Sequence, residues 1–224
     1  MKLLHKISTL LVLTTCSFAS LAADYGVELE WNTDNAQEVI DAMAQQRAEF
    51  SKLIEAGEIK DMYIAKSKIG DKPARILRFV IEAESEQEVT DKLSDLPLYK
   101  KNLVKISNIR HLGAKWLDNT PITQNYGITL TWYQDVDSLE MDRVLGIDLS
   151  RVISLNQAGS VTSAYLDTQT LSNGDVRPVY LISVLATDAK QASELSKQFE
   201  AVNLGYARAE IQYLGQKLNM KGLN

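Results

Sequence analysis

Few side chains of this 224-residue chain are of types that do chemistry at neutral pH, and they fall into small groups. Glu28 and Glu30 stand two apart in Tyr25-Gly-Val-Glu-Leu-Glu-Trp31, alternating with Tyr25, Val27, Leu29 and Trp31. That period is a strand with one buried face, so the carboxylates point away from it. By the same alternation Arg78 joins them from between Ile76 and Val80, and Arg208 and Glu210 do likewise further on. Carboxylates beside guanidiniums in a closed space can hold a polar ligand or relay a proton, because burial and neighbouring charge separate their pKa values. The other reading is ordinary ion pairing at a wet rim. Arg47 falls on an apolar helical stripe between Met43 and Phe50. It either grips a ligand carboxylate bidentately or passes its stem over the core to water. His111 is an imidazole at a strand end, catalytic or structural. Tyr63 is a ring that either lines a ligand site or packs.

Other chemistries are excluded. The single cysteine, Cys16, sits in an N-terminal segment with Lys2 and Lys6 ahead of an apolar run to Phe18 and small residues near Ala22. Residues 1–23 read as a secretory signal peptide, so the expected mature protein is periplasmic or secreted and has no cysteine. The alternative reading of Leu13-Thr14-Thr15-Cys16 is a lipidation box, with Thr15 a poor fit. Without Lys2 and Lys6, 22 of the 24 basic side chains face 29 acidic ones, a formal charge of −7. An acidic chain is a poor partner for nucleic acid or an anionic membrane, and no membrane insertion is expected after cleavage. His5 leaves as well, so no pair of imidazoles can hold zinc. The sequence contains no phosphate-cradling glycine loop and no nucleophile elbow. Neither a metal nor a cofactor is expected.

The elements that must position these residues come in two copies. Tyr25-Gly-Val-Glu-Leu-Glu-Trp31 recurs as Tyr126-Gly-Ile-Thr-Leu-Thr-Trp132, the Leu53 segment as the Leu155 segment, and His111-Leu-Gly113 as Tyr213-Leu-Gly215. Near-constant spacing of about 101 residues marks an internal repeat. Each copy reads strand, helix, strand, strand, helix, strand, with Ser85-Glu-Gln-Glu88 a capping box and Gly57 a helix terminator. The expected organisation is a ferredoxin-like unit over 24–113, a linker over 114–125 and a second unit over 126–224. Each unit has a sheet with one bare face. The spacing therefore predicts an α+β fold of two tandem βαββαβ units packed sheet-to-sheet as an intramolecular dimeric α/β barrel. The tandem unit itself is expected as a monomer or homo-oligomer.

At Leu93-Ser-Asp-Leu-Pro-Leu-Tyr99, followed by a strand ending in Arg110-His111, the first copy resembles the muconolactone isomerase family. That family has a leucine-proline-leucine corner after its second helix and an arginine-histidine pair after the last strand. The resemblance implies a small-molecule cavity. The family's acidic residue in the first helix falls at Gln46 here, and an amide cannot shuttle a proton; the second copy has Asp148 at that place. Two functions follow. One is an exported protein binding a small organic molecule, with Arg47, Arg78, Tyr63 and Arg208 as ligand-binding residues. The other is a cofactor-independent isomerase of a small lactone or enol, using Glu28, Glu30, Asp148 or His111.

Overall fold

The computed structural model describes residues 22–119, 121, 123–171 and 174–220. The expected signal segment lies outside them except for Ala22 and Ala23. The first half runs β1 (Ala23–Trp31), α1 (Ala36–Glu55), β2 (Ile59–Ile69), β3 (Lys72–Ala83), α2 (Glu86–Ser94), α3 (Pro97–Lys100) and β4 (Val104–Asp118). The second repeats the order as β5 (Gln124–Trp132), α4 (Ser138–Gln157), β6 (Val161–Thr170), β7 (Val176–Leu185), α5 (Ala189–Ser196), α6 (Glu200–Asn203) and β8 (Ala207–Lys217).

Local signals explain most boundaries. The Asn35 side chain accepts the amides of Gln37 and Glu38 and starts α1. Ser85 accepts from Glu88, whose carboxylate reaches back to the Glu84 amide. Pro97 ends α2 and, lacking an N–H, opens α3 at no cost. β4 is longer than its apolar pattern predicts and runs through Asp118, into the expected linker.

The strands follow the order β1-β3-β2-β8-β5-β7-β6-β4 and close into a barrel. This corrects the expectation of two sheets packed face to face as a dimeric α/β barrel. A ferredoxin-like sheet leaves two free edges, and here they pair instead. Tyr63 and Ile64 of β2 register with Lys217 and Gln216 of β8, while Ala114 to Asp118 of β4 register with Leu166 to Ser163 of β6. Edge pairing satisfies backbone groups that two packed sheets would leave open.

The repeated motifs make these seams possible. A Cβ on Gly113 would run into the Leu166 carbonyl oxygen, and one on Gly215 into that of Ile64. Both glycines have positive φ. Leu112 and Leu214 point inward against Gly26 and Gly127, the small residues of the two Tyr-Gly pairs. Both seams also meet one buried cluster. Lys217 Nζ lies 2.9 Å from Asp61, 3.1 Å from Asp118 and 2.7 Å from Ser163 Oγ, while Lys115 lies 3.1 Å from Asp61. The Tyr165 hydroxyl donates to Asp61 as well. β2, β4, β6 and β8 all contribute. Among the described residues no helix is long and apolar enough to cross a membrane.

Candidate functional site

The barrel interior does not gather the expected residues into an open site. Glu28 is held by Arg78 at 3.2 Å, Gln212 at 2.6 Å and Asn108 at 3.2 Å. Arg78 also donates to the Tyr213 carbonyl. Tyr63 is buried, shares a hydrogen bond of 2.9 Å with Ser183, and burial pushes its phenol far up. The space left beside them is only about 50 Å³. Glu30 lies outside this group in an exposed pair with Lys105 at 2.7 Å. His111, 2.7 Å from Asp167, and Arg208, 3.2 Å from Glu210, line a separate polar mouth of the barrel.

Asp148 is fully buried under α4. It accepts the Glu200 amide at 2.6 Å, the Ala201 amide at 3.2 Å and the Tyr180 hydroxyl. Burial raises its carboxyl above the ordinary range, while these donors pull it back. Gln46 has the same task in the first half, where its Oε1 accepts the Leu98 amide at 3.0 Å. The paired position is thus a cap for the short helix that follows, made with a carboxylate in one half and an amide in the other. The four proposed proton carriers lie in four separate places.

A larger and mainly apolar space lies on the helix side of the sheet. Between α1 and the outer face of β1, β2 and β3 lies a cavity of about 460 Å³. Its walls are mainly apolar, among them Leu29, Phe50, Met62 and Leu77. The size and character are those of a small-molecule pocket. The corresponding space in the second half is filled. By strand register Leu77 matches Tyr180, since Glu28 pairs with Arg78 and Thr129 with Leu181. Tyr180 and Phe199 pack together there at 6.4 Å between rings, both nearly inaccessible. A leucine in place of a tyrosine leaves the first half hollow.

Gln46, Arg47, Ser51, Arg75, Tyr99 and Trp31 bring polar groups to this cavity, and Gln46 is already engaged with the Leu98 amide. Tyr99, on α3, has a buried hydroxyl without a hydrogen-bond partner among the described residues, and burial pushes its phenol up, keeping the proton on. Trp31 also lines the cavity with an unpartnered buried indole N–H, although Trp132 shares that property in the packed half. Arg47, an expected ligand residue, stands exposed at the cavity wall, with no ion pair or hydrogen bond among the described residues. The sequence reading missed Tyr99. Its repeat counterpart is Ala201, so a residue polar in one copy and apolar in the other was the available signal.

No protein-family model and no curated protein matches the chain. Solved structures do. A chlorite dismutase mutant from Candidatus Nitrospira defluvii is 11% identical, with a TM-score of 0.56 over 90% of this chain and 93% of that one. The same enzyme with imidazole is 9% identical, with a TM-score of 0.53 over 90% and 93%. A heme-binding protein from Thermus thermophilus is 14% identical, with a TM-score of 0.52 over 91% and 94%. The fold is therefore chlorite dismutase-like, which corrects the resemblance to muconolactone isomerases. The proline corner is a local helix stop that unrelated chains also use. The function built on that resemblance, a ligand between packed sheets or an isomerase reaction, falls with it.

Proposed function

We propose that this chain is a non-catalytic binding protein for an amphiphilic organic carboxylate of cofactor size, held on the helix side of its first half. The observation that carries the reading is a mainly apolar cavity of about 460 Å³, lined among others by Tyr99, whose buried hydroxyl has no partner among the described residues. An unpartnered buried donor costs about 1–3 kcal/mol, and a ligand oxygen at Tyr99 would remove that cost. Arg47, without a partner among the described residues, suits a carboxylate at the opening. Export is part of the same proposal and rests on the N-terminal pattern; sequencing the start of the exported protein tests it.

A heme-binding neighbour makes a tetrapyrrole the natural first ligand to try. Iron ligation does not fit these residues. Haem iron is held by His, Cys thiolate, Met with His, or Tyr. Neither His nor Cys lines the cavity, and His111 is engaged elsewhere, 2.7 Å from Asp167 and edge-on to the Tyr25 ring. Tyr99 resists ionising. Met43 and Met62 offer thioethers without an imidazole alongside. A macrocycle or another flat amphiphile would be held by burial and by its carboxylates.

Titration with metal-free protoporphyrin IX, hemin and palmitate, read by quenching of tryptophan fluorescence, tests the proposal. The expected result is saturable one-to-one binding of at least one of them, with hemin and the metal-free ring equal in affinity. Tyr99→Phe and Arg47→Leu should each weaken it about tenfold, the loss of one hydrogen bond to a charged group. Leu77→Tyr, copying the second half, should abolish it. Binding unchanged in Leu77→Tyr, or absent for all three ligands, overturns the reading. Much tighter hemin binding with a shifted Soret band overturns the exclusion of iron ligation.

A further inference from the structure

The polar mouth of the barrel supports an inference that goes beyond the helix-side cavity. It has a volume of about 250 Å³ and is lined by inward-facing residues of β5 to β8 together with Arg110 and His111 of β4. Three guanidiniums, Arg110, Arg177 and Arg208, meet there with only two carboxylates, Asp167 and Glu210. Both carboxylates are engaged: Asp167 lies 2.7 Å from His111, and Glu210 lies 3.2 Å from Arg208. Arg177 donates to Gln169 at 2.7 Å and to the Trp132 carbonyl. Arg110 pairs with no carboxylate among the described residues. It donates to the Thr129 hydroxyl at 2.9 Å.

The repeat shows what is missing. Arg110 corresponds to Gln212, and Thr129 to Glu28. Gln212 of the second half donates to Glu28 of the first at 2.6 Å, and Arg78 neutralises that carboxylate. At the related contact, between Arg110 of the first half and Thr129 of the second, the carboxylate has become a threonine and the amide a guanidinium. The same contact therefore keeps its geometry and exchanges a balanced charge for an unbalanced one. A half-buried guanidinium has five donors in a fixed fork and here uses one. Leaving it unbalanced is unfavourable unless something else supplies the anion.

We infer that the barrel mouth is a binding site for a small oxyanion, such as phosphate or a short carboxylate, gripped by Arg110 with Arg208 and the Thr129 and Thr131 hydroxyls around it. Oxyanions accept the guanidinium fork bidentately. A positive pocket walled by protein also concentrates anions locally in a chain whose formal charge is −5. The polar lining and modest volume suit a small ion and not a macrocycle.

Calorimetric titration with inorganic phosphate, sulfate and acetate at constant ionic strength tests this inference on the intact chain. Saturable binding of at least one is expected. Arg110→Gln should weaken it about tenfold or more, the loss of a charge-assisted bidentate contact. Thr129→Glu restores the first half's carboxylate, so it should keep the fold and abolish binding. Leu77→Tyr, which fills the other cavity, should leave anion binding unchanged; this separates failure here from failure of the carrier reading. The inference is overturned if none of the three anions saturates, or if the affinity persists in Thr129→Glu.

Discussion

Replacing Lys217 with methionine probes the closure of the barrel where it is narrowest in hydrogen bonds. β2 and β8 share only two register pairs, one of them Tyr63 with Lys217. The Lys217 side chain is 2% exposed, and its ammonium reaches Asp61 at 2.9 Å, Ser163 Oγ at 2.7 Å, and the carbonyls of Thr162 at 2.9 Å and Asn119 at 3.0 Å. Removing one partner of a buried ion pair costs about 3–5 kcal/mol. Asp61 keeps Lys115 at 3.1 Å and the Ser163 and Tyr165 hydroxyls. Its charge is thus not orphaned, which sets the expected loss near the lower end, about 3 kcal/mol. For a chain of this size that lowers the melting temperature by about 6–12 °C. Asp61→Asn alone should cost a similar amount, and the double variant less than the sum by about 1–2 kcal/mol, as groups in one network do. Urea and thermal melts of the four proteins measure the cycle. A loss below about 1 kcal/mol in Lys217→Met, or strict additivity, would refute the view that this cluster fastens the two seams.

Gly113→Ala should destabilise the protein by about 3 kcal/mol or more, because its Cβ would run into the Leu166 carbonyl. Gly57→Ala, with a similar φ of +75° but open space around it, should cost only about 1 kcal/mol; equal losses in chemical denaturation would show that the seam is not tight. Asp24 has its carboxyl raised above 3.8, chiefly by burial, although the Lys115 amide donates to it at 2.7 Å. The native state then holds that proton more tightly than the unfolded chain does. The stability from this group is full below 3.8 and falls as pH rises through the native value. Asp24→Asn should therefore flatten the fall in stability above about pH 4, seen as urea midpoints that converge with wild type in acid and exceed it at neutral pH.

Much was legible in the sequence because it rests on local rules. Alternation gave the strand faces, Ser85 and Glu88 a helix start, Pro97 a helix stop, and repeated Tyr-Gly and Leu-Gly pairs the two halves. The asymmetry between copies, at Arg47 against Leu149 and at Glu28 against Thr129, marked positions that the shared fold does not require, and the two proposals draw on them. What stayed hidden depended on contacts between distant segments. Free strand edges look the same in a sequence whether they pair with each other or stay open, so sheet-on-sheet packing and edge closure could not be told apart. Gln46 read as a proton carrier lost and Asp148 as one kept, because the amides they cap arrive from residues about fifty positions away. The hollow first half follows from Leu77 standing where Tyr180 fills the second, and a volume difference becomes a cavity only when a helix is laid across it. Sequence alone determined the elements and their duplication; packing decided which face of the sheet stays open, since space belongs to no single residue.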